Sequence, residues 1–99
     1  MSESFPESAS YKMETEVIAA GVDVMLAGQR SSLIEKWRKG KADAATTYSA
    51  LEHLYWQNQD TADDATRHYL RETSYSFPVE SGMDEDLVDA IYLAVQQEY

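Results

Sequence analysis

Ninety-nine residues with no cysteine and a formal charge of −10 exclude several kinds of protein before any pattern is read. Without cysteine there is no disulfide framework, no thiolate chemistry and no cysteine-type zinc site. Eighteen acids against eight bases repel nucleic acid over most of the surface, while an apolar fraction of 43% supports one folded domain over a wholly disordered chain.

The charge is unevenly placed. Residues 1–29 carry five acids and one base, residues 30–41 one acid and five bases, and residues 42–99 twelve acids and two bases. Two acidic blocks therefore flank a short basic patch, Arg30, Lys36, Arg38, Lys39 and Lys41. The start, MSESFPESAS, lacks the basic and apolar run of a signal peptide. No apolar stretch reaches the ~18 residues of a membrane span; Asp23 interrupts the longest candidate, Val17 to Ala27. The expected location is cytoplasmic.

Taken in order, residues 1–10 read as a flexible acidic arm and residues 11–99 as a single helical domain. A first helix is expected to run from about Ser10 to Ala27 and to stop at Gly28. Ser32 with Glu35 has the form of a capping box for a short helix holding Leu33, Ile34 and Trp37, closed by Gly40. Asp43 is the next cap, for a helix to about Gln59 with Ala44, Tyr48, Leu51 and Tyr55 in line and Leu54 beside them. Thr61 with Asp64 predicts a fourth helix to about Glu72. Residues 73–82 alternate Tyr75, Phe77 and Val79 with polar positions and contain Pro78; they read as an ordered aromatic loop. The last helix, with Ser81 or Asp84 as its cap, has Leu87, Ile91 and Val95 on one face and Asp84, Glu85 and Asp86 at its positive dipole end. The expected fold is all-α, a compact bundle of about five helices. Its core is Val17, Ile18, Val22, Leu26, Leu33, Leu51, Leu54, Tyr69, Leu70, Leu87, Ile91 and Val95.

Catalytic and metal patterns are missing. There is no G-x-S-x-G, no threonine following a phosphate-cradling G-K, and no G-x-G-x-x-G. Asp60, Asp63 and Asp64 lack calcium-loop spacing. The two imidazoles are His53, beside Glu52, and His68, four residues from Asp64. No catalytic residue, metal or cofactor is expected. Seven tyrosines and two tryptophans exceed the needs of a small core and suit a contact surface.

The expected function is therefore non-enzymatic protein binding. Seven carboxylates at two helix starts, Asp60, Asp63 and Asp64 with Asp84, Glu85, Asp86 and Asp89, are the candidate partner-binding set, together with Trp56. In size, charge and helical content the chain resembles small acidic phage inhibitors of restriction or CRISPR machinery, whose surfaces imitate nucleic acid. That resemblance implies a basic surface of a protein or nucleoprotein complex as partner, with no direct nucleic-acid contact. An acidic adaptor, assembly chaperone or antitoxin-like protein is the alternative. A helix-turn-helix DNA-binding regulator using residues 30–56 is a lesser one.

Overall fold

The computed structural model describes residues 21–99, which form four helices: α1 (Val24–Arg38), α2 (Ala44–Asn58), α3 (Asp64–Ser81) and α4 (Glu85–Gln96). The described residues are all-helical apart from turns, in agreement with the expected class. The expected arm 1–10 and most of the helix 11–27, including Val17 and Ile18, lie outside them.

Each helix begins on an aspartate. Asp23 accepts from the amides of Met25 and Leu26 at 2.9 and 3.2 Å. Asp43 accepts from Thr46 at 2.7 Å, Asp63 from Thr66 at 2.8 Å, and Asp84 from Asp86 and Leu87 at 3.1 and 3.3 Å. These bonds satisfy amides that have no partner within the helix. They also hold the carboxyls of Asp43 and Asp63 below the usual carboxylate range. Four of the acids that give the chain its charge are thus structural caps.

The helix ends explain where the sequence reading failed. The chain turns at Gly21, φ +82°, and the Asp23 cap starts α1 at Val24, so the helix runs through Gly28 and does not stop there. Ser32 and Glu35 are interior positions of this helix, and they cap nothing. Gly40 does end it: with φ +73° it gives its amide to Trp37 and lets Lys41 reach the Lys36 carbonyl at 2.8 Å, a Schellman turn. Asp63, and not Thr61, caps α3.

The largest correction is residues 73–82, which form no loop: α3 continues to Ser81 with Pro78 inside it. Gly82, at φ +71°, then closes the helix, with Met83 N–H on the Pro78 carbonyl at 2.9 Å. Among the described residues there are consequently four helices, not about five.

The core sits around α2, the helix that packs against all three others. Tyr48, Leu51 and Leu54 are buried with Leu70, Phe77 and Val95, and Trp37 meets Phe77 edge-on at 5.0 Å. Val22, Leu51, Leu54, Leu70 and Val95 are buried as expected, while Leu26, Leu33, Tyr69 and Ile91 are half-buried. Leu87 is 44% exposed: α4 turns Val88, Ile91, Tyr92 and Val95 inward, so the expected stripe keeps Ile91 and Val95 and loses Leu87.

Candidate functional site: a groove between two splayed helices

Both α3 and α4 pack on α2 but hardly on one another. The space left between them is an open groove of about 510 Å³. Its walls are two helical stripes. On α3 they are Arg71, Ser74, Tyr75, Pro78 and Val79, and on α4 Glu85, Val88, Asp89 and Tyr92. These positions recur at three and four residues, so each set shares one helix face. Tyr48 of α2 reaches the groove from below, and Met83 of the linker lies at the end where α3 passes into α4. Tyr75 is 67% and Val79 83% exposed, unusual values for large apolar side chains lining a concavity.

Under one end of the groove lies a charged network. The Arg71 guanidinium sits 4.6 Å from the ring centre of Tyr75, 4.7 Å from Tyr55, 5.3 Å from Tyr92 and 5.7 Å from Trp56. Each is within the range of cation–π attraction. Arg71 Nη1 lies 3.3 Å from Glu52 Oε1, which also accepts from the Trp56 indole N–H at 3.1 Å. Glu52 is 1% exposed, and its Oε2 has no hydrogen-bond partner among the described residues. Burial works against the Arg71 charge, but the Tyr75 hydroxyl, the Glu52 carboxylate and Tyr92 outweigh it and hold the group above its ordinary pKa. Burial, followed by the negative Glu52, pushes the Tyr48 phenol far above its usual range, so it stays protonated. The network holds the floor, and among the described residues the two acids of the groove lining, Glu85 and Asp89, stand outside any ion pair.

The acidic candidates separate into two places. Asp84, Glu85, Asp86 and Asp89 gather at the start of α4, all exposed, and Glu85 and Asp89 line the groove. Asp60, Asp63 and Asp64 lie at the far end of α3, about 27 Å away along an 18-residue helix. There Asp63 is a cap, and Asp64 is paired with Arg67, whose Nη1 also donates to the carbonyls of Ala62 and Gln59. Trp56 is half-buried and turned into the Arg71 network, edge-on to Tyr55 and Tyr92. Its polar atom is engaged by Glu52.

The imidazoles pair differently from the sequence reading. His68 lies 3.1 Å from Glu72, one turn on, and Asp64 turns to Arg67. His53 Nδ1 is 2.8 Å from the Tyr99 hydroxyl. Among the described residues no group of three acids or histidines is placed to hold a metal, and no helix is long and apolar enough to cross a membrane.

Tyr75, Val79 and Val88 do not stand out as a surface in the sequence, because the alternation around Pro78 reads as a loop. The signal was present as Leu70, Ser74, Phe77 and Pro78, whose spacing of four, three and one marks a buried helix face with Tyr75 and Val79 on its outer side. No protein-family model, curated protein or solved structure matches this chain.

Proposed function

We propose that this protein acts by binding another protein, without catalysis, and that the α3–α4 groove is its working face for a basic region of the partner. The observation that carries this reading is an apolar groove with carboxylates on its wall, exposed among the described residues: Tyr75, Val79 and Val88 beside Glu85 and Asp89. Covering the exposed apolar surface contributes roughly 25 cal/mol per Å². The excess negative charge speeds the approach of a basic partner and disfavours an acidic one.

This is the behaviour of an adaptor, an assembly chaperone, an antitoxin-like partner or an inhibitor. In the inhibitor form, acidic mimicry of nucleic acid blocks a DNA- or RNA-handling complex, as in phage anti-restriction or anti-CRISPR proteins; the charge of −10 supports it. The groove has stronger support than a continuous phosphate-like row. The two acidic sets stand about 27 Å apart, with Arg67, His68 and Arg71 on the helix between them. A DNA-binding regulator has the weakest support, since its recognition helix would be α2, the helix packed against the other three.

The test is capture from lysate by four forms of the protein. The same proteins should be retained by the wild type and by the triple variant Asp60→Asn, Asp63→Asn, Asp64→Asn, and lost on Val79→Arg. Retention by Val79→Arg, with loss on neutralising Asp84, Glu85 and Asp86, would transfer the function to acidic mimicry.

A further inference from the structure

The shape and chemistry of the groove restrict what can fill it. Its α3 wall runs from Arg71 to Val79, nine residues spanning about 12 Å of helix, and its α4 wall from Glu85 to Tyr92 is of similar length. Both walls are helices, whose backbone amides and carbonyls are bonded within the helix. An extended segment laid between them finds no edge to pair with and leaves its own backbone groups without partners as it loses water. A helix brings its backbone bonds with it. About two turns match the length of the walls, and side chains one turn apart on a single face can descend together between Tyr75 and Val79 on one side and Val88 and Tyr92 on the other.

The charge sets the rest. Arg71, the cation among the lining residues, is matched by the buried Glu52. Glu85 and Asp89 are exposed and stand one turn apart on the same wall. Two cations one turn apart on an occupant helix fit that pair, and acids there are repelled.

We infer that the groove receives a short amphipathic helix of a partner protein, about two turns long, with two apolar side chains one turn apart and lysines or arginines on the flank facing Glu85 and Asp89. This rests on the protein-binding reading and deepens it. The occupant completes the bundle by filling the gap between α3 and α4. Its apolar side chains cover Val79 and Val88, and its basic flank sets its direction in the groove.

The experiment uses the full chain and three synthetic peptides of about fourteen residues, long enough to hold some helix alone. One carries two leucines a turn apart with a lysine flank. A twin has glutamate for lysine, and a third has the leucines two positions apart so that they cannot share a face. Amide chemical shifts are followed on titration. The first peptide should bind saturably with shifts at Tyr75, Val79, Val88, Asp89 and Tyr92, and its twin about tenfold more weakly, since two exposed ion pairs are replaced by repulsion. The double variant Glu85→Lys, Asp89→Lys should reverse the preference. Equal binding of the lysine peptide and its glutamate twin overturns the basic flank, and equal binding of the third peptide overturns the helical occupant. If no peptide binds while proteins are still captured in a Val79-dependent way, the amphipathic-helix assignment fails and the protein-binding reading survives. If Val79→Arg changes neither, both fail.

Discussion

The two halves of α3 handle their surface in opposite ways. In the first half the charged groups are engaged within the chain: Asp63 caps the helix, Asp64 holds Arg67, His68 meets Glu72, and Arg71 is enclosed by Glu52 and four aromatic rings. In the second half apolar surface stays exposed, with Val79 and the outer side of Tyr75 facing the groove two residues either side of the buried Phe77. A charged surface that is already paired stabilises the fold, whereas an apolar surface with no cover points to a partner. In this chain the eye-catching charge says less about binding than the quiet valine.

That contrast can be broken most directly at its most buried points. Phe77→Ala should cost about 3–5 kcal/mol, measured by urea unfolding. Arg71→Ala should cost a similar amount, about 3–5 kcal/mol, because it strands the buried Glu52 charge. Combining Arg71→Met with Glu52→Leu should restore much of that loss. If Arg71→Ala proves harmless, the network is decoration and the floor of the groove is not fixed by it.

An intermediate effect is expected from alkali. The Tyr48 phenol is raised in the folded state by burial first and Glu52 second. The unfolded chain therefore releases this proton first, from a pH of about 10. The contribution is complete below that pH and is lost as pH rises above it. Wild-type stability should fall between pH 8 and pH 11 more steeply than that of Tyr48→Phe, in paired unfolding curves at about those two values. Parallel curves would place the phenol in a wetter setting.

Acid acts at the other half. Asp43 and Asp63 are lowered mainly by backbone hydrogen bonds, from Thr46 and Thr66. Their contribution is present above the ordinary aspartate range and disappears as pH falls through their depressed values. Asp63→Asn, which keeps a capping oxygen, should lose less stability than Asp63→Ala at neutral pH. The smallest effect belongs to Val79→Ala, within about 0.5 kcal/mol as for an open surface position. A large loss there would mean that the wall of the groove is part of the core.

Much of α2 was legible because propensity, capping and packing agree: Asp43 begins it, and Tyr48, Leu51 and Leu54 face inward. The end of α1 at Gly40 was legible for the same reason. The second half of α3 was not, because its local signals conflict with its packing. Pro78 removes a donor, and Thr73, Ser74, Ser76 and Ser81 are weak helix formers, yet their hydroxyls turn back onto carbonyls of their own helix. Burial of Phe77 against Tyr48 and Leu51 decides the outcome. Glu52 was opaque for another reason: a glutamate in the middle of a helix reads as solvent-facing, and only the arrangement of three helices shows it enclosed. Of the candidate site, Glu85 and Asp89 were named from sequence, but the apolar walls that give them a context were not.

Pro78 has one more consequence, for the backbone itself. Lacking an N–H, it cannot serve the carbonyl four residues earlier, that of Ser74. Both residues line the groove. The ladder of α3 thus has a missing rung at Ser74, a residue only 1% exposed, so this turn is held by the burial of Phe77 against Tyr48 and Leu51 and not by that bond.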